Sequence, residues 1–154
     1  APLSPIMTGG GQERGLRPGT LPVPLIAGFG LAAELCVEEL ITRQNKCNAF
    51  KSRLLKNLCE LSPISFGDQT RTLSHVCYIG FPGLDSEAVM LVLKPYLAIA
   101  NGSACTSAQY ESSYVLKAMG VAETDAQTAT RWSWSHMSSD PKWEDIKKAI
   151  SSLR

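Results

Sequence analysis

The apolar positions in the first half of the chain recur with the spacing of a helix. Over residues 25–61 they return every three to four positions, which predicts helix. The pattern allows either two helices, 25–40 and 43–61, or one long helix, and Ser62-Pro63 ends it. The apolar side of the first part is formed by Leu25, Phe29, Ala32, Ala33, Cys36 and Leu40.

Before and after this helical region the pattern changes. Residues 1–22 are rich in Pro and Gly, so we expect an extended segment that lies against something else. After residue 62, β-branched and aromatic residues predict strands at 73–81, 97–100 and 130–135. Helices are predicted between and after the strands: at 87–93 with Asp85 or Ser86 as the cap, from Ser112 or Ser113 to 119, from 124, and from Asp140-Pro141 onward.

This order of elements predicts an α/β fold, more closely an α+β small domain. Helices would lie on one face of a small, mostly antiparallel sheet. At 154 residues the chain is long enough for one domain, or for one domain with a tail.

Charge and apolar runs exclude two classes of partner. The net charge of +1 offers no basic surface for nucleic acid. The longest apolar run, 23–35, is interrupted by Pro24, Gly28, Gly30 and Glu34, so we expect no membrane span. The first residues show no basic segment followed by an apolar one, so we expect no signal peptide.

The cysteines indicate a reducing compartment. Their number is odd and no two form a CxxC pair, which argues against a disulfide framework and against a metal site. We therefore expect the cytoplasm or an organelle matrix such as that of mitochondria. We expect packing or surface roles for four of the five, namely Cys36, Cys47, Cys59 and Cys77.

Cys105 differs from the other four because its neighbours are small. It lies in the run Asn-Gly-Ser-Ala-Cys-Thr-Ser-Ala at 101–108, which predicts an accessible thiol on a loop. The two histidines, His75 and His136, could each act as its general base or be structural, and the spacing does not decide between these roles.

Two further segments carry groups that bind anions. Residues 9–20, Gly-Gly-Gly-Gln-Glu-Arg-Gly-Leu-Arg-Pro-Gly-Thr, form either a phosphate or carboxylate cradle or a connecting linker. Arg131 is a charge on an apolar, aromatic strand. It either binds a carboxylate, from the protein or from a substrate, or lies on an exposed strand face.

Four of these features together resemble one enzyme family. The runs 9–20, 101–108 and 114–120, followed by Arg131, closely resemble the C-terminal part of pyridoxal-phosphate-dependent cysteine desulfurases. These are class V aminotransferases related to selenocysteine lyases. The resemblance implies the C-terminal domain of a fold-type I transferase, with residues 1–40 ending the large cofactor domain and 41–154 forming the small domain.

The resemblance also implies residue roles. Cys105 would be the catalytic nucleophile that becomes a persulfide, and Arg131 would hold the substrate carboxylate. Thr20 would reach across a homodimer to the cofactor phosphate, with Gly19 and Arg17 shaping that loop. The implied substrate is L-cysteine, and the implied partner is a sulfur acceptor such as an iron–sulfur scaffold.

The family's pyridoxal 5'-phosphate forms a Schiff base with a lysine in a Ser-x-His-Lys segment, which is not found in these 154 residues. We therefore expect this chain alone to be inactive and to need the cofactor-binding part. Three alternatives remain: a non-enzymatic sulfur carrier, a selenocysteine lyase-type activity and a Cys–His hydrolase.

Overall fold

The computed structural model describes residues 2–101 and 112–154. The chain divides into two units, residues 1–40 and 41–154, which are described separately. Within the described residues, every helix is too short or too polar to cross a membrane.

The first unit contains a Gly-rich loop and helix α1 (Val23–Glu38). The loop includes a short 3-10 turn, Gln12–Gly15. Pro24 lies in the first turn of α1, where the missing N–H of proline costs no hydrogen bond. No residue of α1 is buried, and its apolar side chains are exposed all round the helix.

Helix α2 (Leu40–Leu58) begins immediately after Glu39, so the helical region is two helices rather than one. Its buried residues repeat every three to four positions and form one face: Cys47, Phe50, Leu54 and Leu58. A 3-10 turn, Cys59–Leu61, follows, and Ser62 adopts a left-handed conformation with φ 52° before Pro63. The predicted stop at Ser62-Pro63 is confirmed.

The second unit is built on a four-stranded sheet of β1 (Ile64–Ser65), β2 (Val76–Gly80), β3 (Ala100–Asn101) and β4 (Ala129–Ser133). The strand order is β1-β2-β4-β3, and every pair is antiparallel. The predicted antiparallel α/β fold is confirmed. The strand boundaries differ from those predicted, and β1 was not predicted at all.

The main core lies between one face of the sheet and three helices. These helices are α2, α3 (Ser86–Leu93) and α6 (Trp143–Ser151). Helix α3 begins as predicted, because Asp85 Oδ1 accepts hydrogen bonds from the N–H groups of Glu87 at 2.9 Å and Ala88 at 3.1 Å. The prediction that the last helix begins at Asp140-Pro141 was wrong, since α6 begins at Trp143.

A smaller apolar cluster lies on the opposite face of the sheet. It is formed by Phe66, Leu116, Ala126 and Ala129, which join the sheet to α4 (Tyr114–Ala118) and α5 (Glu123–Ala126). Gly120 follows α4 in a left-handed conformation with φ 78°, which ends the helix as predicted. This second face also carries Arg131, two residues after Ala129 on β4.

Candidate functional site

The Gly-rich loop of the first unit reverses direction through a rare left-handed turn. Glu13, Arg14 and Gly15 have consecutive positive φ angles of 50°, 58° and 77°. The N–H of Gly15 donates to the carbonyl of Gly11 at 3.2 Å. Because left-handed backbone is unfavourable for Glu and Arg, the rest of the loop must hold this turn in place.

The two arms of the loop meet at Gly19. Its φ of 105° is accessible to glycine, and its N–H donates to Oε1 of Gln12 at 3.2 Å. A Cβ at Gly19 would lie 3.4 Å from Nη1 of Arg17, so the guanidinium lies beside this glycine. Thr20 follows directly and is exposed. The loop therefore carries a cation beside Gly19 and an exposed hydroxyl on the residue that follows.

In the second unit, Arg131 lies on β4 between two cross-strand neighbours. Tyr78 of β2 and Ala100 of β3 are directly opposite it, so the three side chains share one face of the sheet. Arg131 is exposed, whereas its strand neighbours Thr130 and Trp132 point into the core. Among residues 2–101 and 112–154, no carboxylate forms an ion pair with Arg131. The guanidinium could therefore pair with a carboxylate from outside these residues.

Core hydrogen bonds fix the strand that carries Arg131. The hydroxyl of Thr130 donates to the carbonyl of Ile79 on β2, and it accepts from Nε1–H of Trp132, each at 3.0 Å. Thr130 is completely buried. Arg131 is therefore held on a rigid part of the sheet and not on a loop.

Described residues on either side of residues 102–111 contact the strands that carry Arg131 and Tyr78. Asn101, just before them, pairs with Thr130 of β4, and Ser113 lies two positions after them. Ser113 hydrogen-bonds to Tyr78. Burial raises the pKa of Tyr78, and this hydrogen bond and the charge of Arg131 partly oppose that rise. Cys105 itself lies outside the described residues.

The four described cysteines are all free thiols, but they differ in burial. Cys36 and Cys59 are exposed, and Cys47 and Cys77 are buried. Burial raises the pKa of Cys77 to about 12, with a smaller opposing effect from the charge of Lys51. Cys77 is therefore a protonated core residue at neutral pH and is not a nucleophile.

Within residues 2–101 and 112–154, neither histidine has a contact that indicates catalysis. The carbonyl of His75 accepts the N–H of Trp134 at 3.0 Å, which is a backbone contact. His75 is exposed and His136 is half-buried. Among the residues that the structure describes, no group of three or more His, Cys, Asp or Glu side chains could hold a metal ion.

Two cavities lie beside the segment that leads into β3, and neither was predicted from the sequence. One, of about 280 Å3, is lined by Phe50, Trp132, Trp134, Trp143 and residues 96–99. The other, of about 480 Å3, lies along the exposed side of α3 and shares residues 97–99. For the smaller cavity the sequence does contain a signal, because the tryptophans that line it lie close together, between residues 132 and 143.

The aminotransferase class-V family model matches residues 6–138, which include both the Gly-rich loop and β4. The chain belongs to the aminotransferase class-V family. It is 41% identical over 132 residues to the cysteine desulfurase IscS of Rickettsia typhi, covering 84% of this chain and 32% of that protein. It is also 37% identical over 149 residues to the mitochondrial cysteine desulfurase of Arthroderma benhamiae, covering 96% of this chain and 29% of that protein.

Solved structures of similar proteins share the fold. A NifS-like protein superposes with a TM-score of 0.74 at 28% identity, covering 99% of this chain and 38% of that chain. DndA from Streptomyces lividans superposes with a TM-score of 0.63 at 38% identity, covering 87% of this chain and 37% of that chain. The class-V chain described here therefore spans about a third of the length of these relatives.

The class-V family implies pyridoxal phosphate, and the Gly-rich loop fits the phosphate of that cofactor. Arg17 and Thr20 offer a guanidinium and a hydroxyl, and Gly19 leaves the space beside them free of a side chain. The N–H of Gly19 is already donated to Gln12, so Gly19 shapes the loop and does not supply a donor. Arg131 belongs to the second unit, and the roles of these residues and of Cys105 remain predictions.

Proposed function

We propose that this chain is the C-terminal part of a pyridoxal-phosphate-dependent cysteine desulfurase. The observation that carries this proposal is the 41% identity to a cysteine desulfurase over 84% of the chain. The enzyme would take sulfur from L-cysteine, leave alanine, and pass the sulfur to an acceptor. Iron–sulfur cluster assembly, thio-cofactor synthesis or tRNA thiolation would use that sulfur.

Residues 1–40 would end the large cofactor domain, and 41–154 would form the small domain. Helix α1 supports this assignment, because a helix that is apolar all round needs cover from other protein. The relatives are about three times longer than this chain, so their remaining length could supply that cover. We extend the proposal to a homodimer in which Thr20 serves the phosphate bound by the other subunit.

In the proposed reaction Arg131 holds the carboxylate of the substrate cysteine. A guanidinium pairs with a carboxylate through two parallel hydrogen bonds, which fixes the orientation of the substrate. Arg131 has no internal carboxylate among the described residues and lies on a firmly bonded strand, as a substrate clamp requires.

Cys105 acts on the substrate held in this way. Its thiolate attacks the substrate sulfur, an S–S bond forms, and the bond between the substrate Cβ and sulfur breaks. The electron pair of the broken bond remains on Cβ, which takes a proton and becomes the methyl group of alanine. Pyridoxal phosphate, when bound, supplies the electron sink that makes the substrate carbons reactive. Arg17 and Thr20 hold its phosphate.

The terminal sulfur of the persulfide then moves to a thiol of the acceptor. Cys105 must be a free thiol before each turnover, so we propose a reducing compartment, the bacterial cytoplasm or the mitochondrial matrix. The similarity to bacterial and mitochondrial cysteine desulfurases supports this location.

The proposal is tested by co-expressing this chain with the cofactor-binding portion of the Rickettsia typhi relative. Sulfide and alanine formation from L-cysteine are measured with dithiothreitol present. We expect equal amounts of both products, complete loss with Cys105→Ser, and little change with Cys59→Ser, which alters another exposed thiol.

Substitution of Arg131 tests the substrate clamp in the same assay. Arg131→Lys keeps the charge but loses paired binding, so kcat/KM should fall about 10- to 100-fold, mainly through KM. Sulfur accepted from a persulfide donor without any cysteine turnover would indicate a carrier instead. Turnover of selenocysteine but not cysteine would indicate a selenocysteine lyase.

A further inference from the structure

Gln12 connects the two arms of the Gly-rich loop. Its Oε1 accepts the N–H of Gly19, seven residues later, at 3.2 Å. This side chain is the link between the left-handed turn at 13–15 and the segment that carries Arg17 and Thr20. Gln12 has no other role in the proposed function.

The glycines around Gln12 leave room for this contact. A Cβ on Gly10 would lie 2.5 Å from Oε1 of Gln12, which is closer than real Cβ contacts. A Cβ on Gly9 would lie 2.8 Å from Cβ of Pro18. The first arm therefore has no side chains where it meets Gln12 and the second arm, and this is what lets the loop close.

The turn at 13–15 is strained, so the closed loop requires a stabilising contact such as the hydrogen bond between Gly19 and Gln12. Glu13 and Arg14 adopt a conformation that is unfavourable for residues with a Cβ, and they persist only if their surroundings compensate. All three residues of the turn are exposed, so packing does not hold them. The hydrogen bonds of the loop, including that from Gly19 to Gln12, must do so.

We propose that Gln12 is a positioning residue that keeps this loop closed, so that Arg17 and Thr20 hold the spacing needed for a phosphate ester. This rests on the proposed function, in which the phosphate belongs to pyridoxal phosphate. The guanidinium of Arg17 lies beside Gly19, and Thr20 is bonded to Gly19, so both follow the position of that glycine. Gln12 fixes the position of Gly19, and Gly19 determines where Arg17 and Thr20 lie. Gln12 therefore acts on the phosphate through Arg17 and Thr20.

The first measurement uses this chain and follows hydrogen exchange of the Gly19 amide. Gln12→Met keeps the length of the side chain but removes the acceptor, and we expect exchange to quicken about 3- to 10-fold. Gln12→Glu keeps an acceptor oxygen and should restore slow exchange. Gln44→Met, on an exposed position of α2, is the matched control and should leave Gly19 unchanged.

The second measurement uses the co-expressed assembly and compares binding of pyridoxal 5'-phosphate with binding of pyridoxal. We expect Gln12→Met to weaken pyridoxal phosphate about 3- to 10-fold and to leave pyridoxal within about twofold, because the loop touches only the phosphate. General destabilisation would weaken both compounds equally.

The outcomes separate this inference from the proposed function. Unchanged exchange at Gly19, or equal weakening of both compounds, overturns the role of Gln12 and leaves the desulfurase proposal standing if sulfide is still released. An unsubstituted assembly that neither binds pyridoxal phosphate nor releases sulfide overturns both.

Discussion

Two consecutive helices of this chain, α1 and α2, are separated by one residue and differ completely in burial. Helix α1 has no buried residue, although it is mostly apolar. Helix α2 is more polar, and it buries four residues at helical spacing in the core of the second unit. Apolar content alone therefore did not decide which helix is buried.

This difference in burial shows how each unit obtains its stability. The second unit completes its own core from α2, α3, α6 and one face of the sheet. The apolar residues of α1 would gain the same stabilisation only by contact with further protein. This agrees with a chain that spans about a third of the length of its relatives.

The largest expected effect on this contrast comes from truncating one apolar side chain in each helix. Leu58 is completely buried in α2, and Phe29 of α1 is 78% exposed. In urea unfolding of this chain, Leu58→Ala should cost about 2–5 kcal/mol, and Phe29→Ala should stay within about 0.5 kcal/mol. A similar loss for both variants would mean that α1 also belongs to the cooperative core.

A second test uses the buried thiol of Cys77, whose pKa in the folded chain is about 12 against a reference value of 9.0. Above pH 9 the unfolded chain loses this proton and the folded chain keeps it, so ionisation favours unfolding. Stability is therefore fully present below pH 9 and falls as the pH rises toward 12, by about 1.4 kcal/mol per pH unit for one proton.

The measurement for Cys77 is urea unfolding between pH 8 and 10.5. The control is Cys77→Ala, which lowers stability at every pH but removes this part of the slope. Equal slopes in the two proteins would show that Cys77 ionises as readily in the folded chain as in the unfolded one.

The smallest expected change in stability comes from the cap at the start of α3. Helix α3 is capped by the carboxylate of Asp85, whereas α1, which follows Pro22, has no side-chain cap. We expect Asp85→Ala to cost about 1 kcal/mol in thermal unfolding, because two N–H groups lose their acceptor. Asp85→Asn keeps an acceptor oxygen and should cost a few tenths of that. Loss of the same size with Asn would point to charge and not to capping.

Elements with a strong local signal were predictable from the sequence. A cap at Asp85 or Ser86, the stop at Ser62-Pro63 and a strand rich in β-branched and aromatic residues were predicted from neighbouring residues. The structure has the Asp85 cap, the stop and β2. Strand β1 has two residues and exists because Ile64 and Ser65 pair with Gly80 and Ile79. No local pattern reports such a pairing, so β1 was missed.

Boundaries set by tertiary packing were less predictable. Residues 97–99 were assigned to a strand, but β3 begins at Ala100. Leu97 and Ile99 pack against the core and also line the two cavities, which takes this segment out of the sheet. Similarly, Pro141 lines the aromatic cavity, and the last helix begins two residues later.

The candidate site shows the same division between features that the sequence indicates and features that depend on tertiary contacts. Residue types and their order indicated Arg17, Gly19, Thr20 and Arg131, but not what surrounds them. That Arg131 is exposed and lies opposite Tyr78 follows from the register of β2 and β4, which links residues 53 positions apart in sequence. The contact of Gln12 with Gly19 depends on a left-handed turn at Glu13 and Arg14, and neither residue type favours that conformation.

Strand β3 has a further consequence because it is short and lies at the edge of the sheet. An open edge can recruit the backbone of another molecule and so begin aggregation, but two residues offer too short a template. The same shortness limits what holds β3 to the sheet, since its backbone pairs with β4 at two residues, Ala100 and Asn101. We therefore expect the edge next to Arg131 to open more readily than the five-residue pairing of β2 with β4.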